Sequence, residues 1–501
     1  MNCGGKICLY KRKRGKYTTR TPILRLKINE KLFHCRYNNF YSITNALNIE
    51  EQLPVWYVMD EVGSAIQHSD EPNFRMVPFI HTKTQMTYSI IFPVKDLCSG
   101  NIVSRDFAEG VPEHSRDAHL LPWTGRSFSN INFDHIEVGH DYFLGGHVEE
   151  TLPVIENIKT GVKKPKYKVF SEYSLTREFL TSDRFEIVHN EDDADILWLT
   201  KHFKMFRELD PTKFVNQFPF EYVITIKDLL CITCRRISGN SVRCQPPWLP
   251  ITYNLKTELP QFISYYQHRE EMGLNNHWIV KPFNLARGLD THITDNINYV
   301  IRVSNTGPKI VQKYIEDPVL FHRPEIGGKV KFDVRYVILL KSVRPLEVYV
   351  YKNFFLRFAN QPFEMANFGV YEKHFTVMNY TEEAVLKHML YEEFLVDWAV
   401  QYPEVSWGSV ENNIFHMVRQ VFECATIESP PCGIAHSPQS RALYAADIML
   451  EWSAPGQVQP KILEINWTPD CKRACDYYNN FYNDIFGLLF LNEDNDVFVK
   501  I

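Results

Sequence analysis

The sequence predicts a chain of mixed α/β and α+β class: a β-rich module at 51–125, a loop-rich linker at 126–165 and a larger domain at 166–501. Three observations predict it. The length, 501 residues, is enough for two or three domains with sizeable cores. Short β-branched and aromatic runs broken by Gly, Pro, Asp and Ser fill 53–125, as in LPVWYVMDEVG and MVPFIHTKTQMTYSIIFPVKDL. From 166 onward, strand-like runs alternate with helical ones, the pattern of an α/β layer.

Taken in order, residues 1–50 read as an irregular, partly basic lead-in. KYKVF reads as a strand, and SEYSLTREFLTS as a helix with a serine cap. FEIVHNEDDADILWLT holds two more strands about an acidic turn. HWIVKP, PKIVQKYIE, KVKFDVRYVILLKS and LEVYVYKNFFLRFA make 277–358 strand-rich. Helical spacing returns in EEAVLKHMLYEEFLVDWAVQ and NNIFHMVRQVFECATI. RALYAADIMLEW and the KILEIN strand follow, and a helical FYNDIFGLLFL closes the chain.

Composition narrows the function classes. Hydrophobic residues make up 45% and charged residues 23%, the balance of a globular chain rather than a disordered one. A net charge of −5 gives no global pull toward nucleic acid or an anionic membrane, so neither is an expected partner. No apolar run approaches the ~18 residues that span a bilayer. The opening MNCGGKICLYKRKRGK has no long apolar stretch after its charges and does not read as a secretory signal. The cysteines, 11 in all, fit a reducing compartment such as the cytoplasm better than a disulfide framework. Cys231, Cys234 and Cys244 are spaced like part of a zinc site but lack an obvious fourth ligand. The basic run Lys11 to Lys16 reads as a solvated tail before it reads as a nuclear address.

The chemistry gathers in the C-terminal half. In KILEINWTPD, strand alternation sends Glu464 and Asn466 to one face and Leu463 and Ile465 to the other, and Pro469 ends the strand. By itself this is either a sheet edge with a wet polar face or a pair of hard oxygen ligands. Asp447, inside the apolar run LYAADIMLEW, is a third candidate, because the Pro/Gly turn SAPGQVQP allows a hairpin that brings it beside Glu464 and Asn466. Asp, Glu and Asn oxygens suit Mg²⁺, which fills its other positions with nucleotide phosphate and water, and do not suit zinc. A metal-borne nucleotide also needs cations. Neither GxxxxGK[ST] nor a GxGxxG after a strand is present, so a P-loop or dinucleotide fold has no support. In HWIVKPFNLARGLD, Lys281 ends a strand and Arg287 lies in a loop, where both can grip phosphate oxygens. In IVQKYIEDP, Gln312, Lys313, Tyr314 and Ile315 can hold an adenine through backbone groups and an apolar side chain. In KFDVRYVILL, Lys331, Asp333 and Arg335 share one strand face and Phe332, Val334 and Tyr336 the other, which suits a cleft floor.

In that order, KP-x₄-RG, QKYIEDP, KFDVRY, YKNFFLRFA, HFTVMNY, an apolar-flanked Asp and LEIN-x-x-P resemble the ATP-grasp core of the tubulin–tyrosine ligase-like family. DADILW and FVNQFPFEYVITIKDLL resemble the region that precedes that core, so the resemblance covers about 166–495, with the core at about 277–495. It implies ATP and Mg²⁺ as cofactors. It also implies a reaction in which ATP phosphorylates a carboxylate that an amine then attacks, while metal and cations offset charge on the phosphates. Residue by residue, it implies that Asp447, Glu464 and Asn466 hold Mg²⁺, that Lys281 contacts phosphate and that Arg287 lies over the phosphates. Gln312, Lys313, Tyr314 and Ile315 would form the adenine hinge. Lys331, Asp333 and Arg335 would meet nucleotide and acceptor, and Arg357 of FFLRFA would lie near the amino-acid substrate.

Three departures bear on activity. The family's RG-x-G-I reads RGLDTHI here, placing the acid of Asp290 near phosphate, which it would repel. H-L-T-N reads HFTVMN, with Val377 for the Asn, and ESPPCGIAHSP is less regular than in active relatives. Upstream, IQHSDEPNF and YSIIFPVKDLCSGNIVSRDFAEG resemble the C-terminal half of a SET domain. There, Gln67 stands for an asparagine and Phe107 for the tyrosine whose hydroxyl methyl transfer uses, so that reaction is not expected. A SET-like module joined to a ligase-like module points to one diverged branch of the family. The implied partner is tubulin, through its acidic C-terminal tails, with other protein partners open and microtubules an implied location. Residues 329–357 carry seven basic and two acidic side chains, a candidate surface for such a tail. Two readings follow: an ATP- and Mg²⁺-dependent carboxylate–amine ligase, and a pseudoenzyme that binds tubulin or signalling partners without making a bond.

Overall fold

The structure is a computed structural model. It describes residues 63, 65–81, 83, 86–145, 149–159, 164–283, 288–376 and 387–501, with backbone alone at 38–41, 55–58, 78, 80, 86 and 87. Most of the lead-in, the basic run Lys11 to Lys16, Arg287 and Val377 lie outside the described residues. The chain divides into two compact units, one of Met1–Asn132, Leu259–Leu274 and Asn296–Pro308, the other of Phe133–Glu258, Asn275–Asp295 and Lys309–Ile501.

In the first unit β1 (Asn38–Tyr41) pairs antiparallel with β2 (Val55–Val58). β3 (Gln67–His68) pairs parallel with β6 (Ser104–Arg105), and β4 (Phe74–His81) pairs antiparallel with β5 (Met86–Pro93). The β3–β6 pairing joins the two SET-like segments: the Phe107 N–H donates to His68 Nδ1 at 3.2 Å, and their rings lie 5.2 Å apart. Where sequence reading saw only strands and turns, Glu113–Thr124 is a helix. Pro122 in its last turn conceals it from pattern reading. Gly125, left-handed at φ 60°, ends it by donating to the Leu121 carbonyl at 3.1 Å.

The second unit holds three sheets. β7 (Tyr167–Ser171), β8 (Phe185–Val188), β9 (Ile196–Trp198) and β10 (Phe214–Val215) run parallel in the order β10-β9-β7-β8. The expected serine cap is absent. The helix Ser174–Phe179 starts after Tyr173, and the Ser171 hydroxyl accepts the Tyr173 N–H at 3.1 Å instead, closing a local turn. β11 (Thr252–Asn254), β12 (Trp278–Pro282), β13 (His292–Thr294) and β14 (Lys309–Lys313) form an antiparallel sheet in the order β11-β14-β12-β13.

The third sheet contains β15 (Leu320–Arg323), β16 (Gly328–Ser342), β17 (Glu347–Tyr351), β18 (Phe355–Phe358), β19 (Ala442–Ala454), β20 (Gln457–Asn466) and β21 (Phe498–Lys500). Its path is β20-β19-β16-β17-β21, with β15 and β18 also on β16. β16 explains the core. On one face Phe332, Val334, Tyr336, Ile338 and Leu340 share a core with the helix Trp407–Ile427, whose buried Val410, Ile414, Met417, Val418 and Val421 recur every three or four residues. On the other face Val337 and Leu339 share a core with Phe481, Ile485, Phe486 and Leu489. Lys331, Asp333 and Arg335 continue that second face, so it is apolar at one end and charged at the other.

The helix expected across EEAVLKHMLYEEFLVDWAVQ is shorter in its described part: it runs Tyr391–Gln401, and 387–390 are not helical. Glu393 reaches back to accept the Leu390 N–H at 3.0 Å, which fixes the start. Beyond the helix Trp407–Ile427, Gly433 is wedged against the helix end, where an added Cβ would collide with the Glu428 carbonyl and lie 3.0 Å from that of Ala425. Both obstacles are backbone. Gly433→Ala is therefore expected to lower stability by roughly 1–3 kcal/mol, read as a lower unfolding midpoint in a thermal or denaturant melt.

Candidate functional site

Strand register builds the site. β20 sets Glu464 opposite Asp447, and β19 sets Asp447 opposite Arg335 of β16, so three charges form one row across the sheet. The hairpin expected from SAPGQVQP is thus formed. A bulge between Asp447 and Ile448 leaves Leu463 as the extra residue of β20. Leu463 consequently lines the same cleft as Glu464, where strict alternation had sent it to the opposite face.

The charges hold one another. Arg335 grips Asp447 with two bonds, Nε to Oδ1 at 2.7 Å and Nη2 to Oδ2 at 2.8 Å. Arg357 of β18 reaches Asp447 Oδ2 at 2.8 Å and Asp333 Oδ1 at 2.8 Å. The Thr376 hydroxyl donates to the other oxygen of Asp333. Lys227 pairs with Glu464 at 3.0 Å, and Asn466 Nδ2 lies 3.4 Å from Glu464 Oε1. Burial alone would raise the pKa of Asp447, but Arg357 and Arg335 outweigh it and hold the carboxyl well below the usual range. Burial wins at Asp333, whose pKa is raised.

The hinge residues line the same cleft. Lys281 Nζ donates to Gln312 Oε1 at 3.0 Å, and Gln312 Nε2 donates to Thr252 Oγ1 at 2.9 Å. Lys313 pairs with Glu316 at 2.7 Å. Lys331 Nζ donates to Tyr314 Oη at 2.6 Å and to the Ile315 carbonyl at 3.4 Å, and it sits 3.9 Å from the centre of the Tyr314 ring. Burial lowers the pKa of Lys281 to about 8, helped by Lys227, and that of Lys331 to about 7.

Lys227, Thr376 and Tyr371 also line the cleft, and residue-level reading had not singled them out; Gly288, of the loop Arg-Gly read as a phosphate grip, lines it too. Lys227 and Thr376 fall inside the quoted IKDLL and HFTVMN segments, which was the available signal. Gly288 is left-handed at φ 68°, and a Cβ there would lie 2.8 Å from Tyr371 Oη, so the position takes only glycine without strain. Lys227 opens the helix Lys227–Arg235, which a buried network anchors. Arg235 pairs with Glu258 at 2.9 Å, and Tyr142 donates to Asp228 at 2.7 Å. Burial would raise the Glu258 carboxyl, but His135 and Arg235 hold it down to about 2.

Two expectations change. Asp290 does not line the cleft: its carboxylate is held by Lys309 and, at 3.1 Å, by His292, so its charge is paired at the β13–β14 end of the sheet. The bases of 329–357 do not make one open surface, because Lys331 is buried and Arg335 and Arg357 are tied to Asp447. Cys231 and Cys234 are buried on one helix and Cys244 is exposed, all three free thiols. Among the described residues no three of His, Cys, Asp and Glu gather as a metal site. Asp447, Glu464 and Asn466 offer two carboxylates and an amide, a hard oxygen set whose chemistry fits Mg²⁺. No described helix is long and apolar enough to cross a membrane.

Comparison with known proteins bears on the whole chain. The family model described as tubulin-tyrosine ligase family matches residues 207–499, and that described as tubulin tyrosine ligase SET-like domain matches residues 24–127. Tubulin–tyrosine ligase-like protein 12 of Mus musculus is 44% identical over 475 residues, covering 93% of this chain and 73% of its own. The Caenorhabditis elegans protein of the same name is 37% identical, covering 91% of this chain and 71% of its own. Tubulin polyglutamylase TTLL5 of Mus musculus is 26% identical, covering 66% of this chain and 25% of its own.

Two outcomes are expected. Lys281 and Lys331 lose their charge as pH rises through about 8 and about 7. Calorimetric binding of inorganic tripolyphosphate should therefore weaken between about pH 6 and about pH 9, by about tenfold or more if one charged hydrogen bond is lost. Asp290→Asn keeps a residue that tolerates φ 52° but strips buried Lys309 of its countercharge. It should lower the melting midpoint, by roughly 1–3 kcal/mol, and leave polyphosphate binding unimproved.

Proposed function

Because the chain belongs to the tubulin–tyrosine ligase family, we propose that it is an ATP- and Mg²⁺-dependent carboxylate–amine ligase by fold, acting on tubulin or another protein with an acidic tail. The observation that carries this reading is the cross-strand row of Glu464, Asp447 and Arg335 at the edge of a cleft also lined by Lys227, Lys281 and Lys331. Asp447, Glu464 and Asn466 would hold the metal. Lys281, Lys331 and Lys227 would hold phosphate oxygens; Lys281 and Lys331 are fixed in advance by Gln312 and Tyr314, and Lys227 by Glu464 until the metal takes that carboxylate. The backbone of Gln312 to Ile315 would face the base, their side chains being turned to other partners. Arg357 would lie near the amino-acid substrate. When bound, the nucleotide and metal supply the phosphoryl group that activates the acceptor carboxylate and the charge that offsets its transfer. Relatives named tubulin polyglutamylases support tubulin as the acceptor.

A second reading, binding without bond formation, is favoured by one observation: both oxygens of Asp447 already carry guanidinium bonds. Calorimetric titration with ATP, with and without Mg²⁺, beside Glu464→Gln, tests the nucleotide site. Magnesium-dependent binding that falls at least tenfold in Glu464→Gln supports the site, and its absence in the unaltered protein counts against it. A screen of labelled amino acids on tubulin then separates the readings: transferred label marks a ligase, and background label with nucleotide bound marks a binding protein.

A further inference from the structure

Each carboxylate facing the candidate metal position is already held by a cation. Arg335 takes both oxygens of Asp447, Arg357 shares Oδ2 and holds Asp333, and Lys227 takes Glu464. Three carboxylates thus meet three cations, and Lys281, close enough to feel both Lys227 and Glu464, makes the cluster net positive. The row cannot relax by moving apart, because strand register sets Glu464 opposite Asp447 and Asp447 opposite Arg335. The exposures are unequal. Asp447 is 2% exposed, whereas the side chains of Arg335 and Arg357 are each 19% exposed. The guanidiniums can therefore turn toward an incoming anion while the carboxylate stays where it is.

Two solitary arrivals are disfavoured by this arrangement. A divalent cation alone would displace Arg335 and Arg357 from Asp447 and then lie beside them in a site of low dielectric and like charge. A polyphosphate alone would draw the guanidiniums away and leave Asp447 buried without countercharge. Arriving together, each ligand satisfies what the other displaces: phosphate oxygens take the guanidiniums, and Asp447 and Glu464 turn to the metal. Resting on the proposed nucleotide site, we infer that Arg335, Asp447 and Arg357 form a partner-exchange lock that makes divalent-cation binding and polyphosphate binding depend on each other. The exchange swaps ion pairs and forms no covalent bond. It also makes the lock a filter, since a free divalent cation or a metal-free nucleotide does not satisfy both halves.

The test titrates the whole chain with Mn²⁺, read by its electron paramagnetic resonance signal, in the absence of nucleotide. Arg335→Met, which frees Oδ1 of Asp447 and leaves Arg357 on Oδ2, and Lys227→Met, which removes the cation from Glu464, run beside it, with thermal melting to report folding. The unaltered protein should bind nucleotide-free Mn²⁺ only weakly, and each folded variant should bind it about tenfold more tightly or better, within the roughly 5–150-fold range of coupled sites. A micromolar Mn²⁺ site in the unaltered protein without nucleotide overturns the lock, whether or not the variants fold. Equal Mn²⁺ affinity in unaltered protein and folded variants also overturns it. Parallel ATP titrations in EDTA and in saturating Mn²⁺ separate the two ideas. Variants that gain Mn²⁺ while no form binds ATP show that the cations bar the metal, and overturn both the nucleotide site and the mutual dependence. ATP binding with Mn²⁺ affinity unchanged by either substitution upholds the nucleotide site and overturns the lock.

Discussion

The register that aligns Glu464, Asp447 and Arg335 across β20, β19 and β16 is the constraint from which the cleft follows. The opposite face of these strands is packed with Phe332, Val334, Tyr336, Ile448, Ile462 and Ile465. A slip of one residue would turn those side chains into the cleft and drive three charges into the core. The hydrophobic face therefore holds the polar one in place. The charges are tolerated because each has a partner, and for the same reason none can be removed without stranding another.

One sheet face does two jobs along its length. Val337, Leu339 and Leu443 pack against the C-terminal helical segment, and further along the same face Asp333 and Lys331 line the cleft while Arg335 is paired with Asp447. Burial lowers the pKa of Lys331 on that face and of Lys281 on β12 of the second sheet. Both ammonium groups are held by neutral oxygens and poorly hydrated, the condition under which a charged lysine acts most strongly on an incoming anion. Lys227 joins them from a helix held by the buried Arg235–Glu258 pair, so its reach to Glu464 is set by packing remote from the cleft.

The chain combines an N-terminal SET-like domain with a tubulin–tyrosine ligase domain. In the SET-like part the contact between its two quoted segments is kept, His68 accepting the Phe107 N–H, while Phe107 brings a ring and no hydroxyl to that place. Phe107 meets Trp123 edge-on at 5.0 Å. Phe107 is thus a packing residue, its ring set between His68 and Trp123.

Much of the architecture was legible because backbone alternation is local. The period-2 runs predicted β12, β14, β16, β19 and β20, and the spacing of Lys331, Asp333 and Arg335 predicted their shared face. The Pro/Gly turn predicted the hairpin that joins Asp447 to Glu464. What the sequence could not decide was which charge meets which. The bulge that turns Leu463 into the cleft depends on the pairing of two strands, not on either alone. Asp290 reads as an acid beside phosphate until Lys309, from another strand, is brought against it. Arg335 and Arg357 read as substrate-facing cations until β18 and β19 flank β16, where Asp447 of β19 holds both and Asp333 of β16 holds Arg357. By itself the sequence determined the strands, their faces and the inventory of charges, since these follow from neighbours along the chain. The tertiary structure decided the pairing of those charges, because a buried charge takes its partner from whichever distant strand the packed core sets beside it.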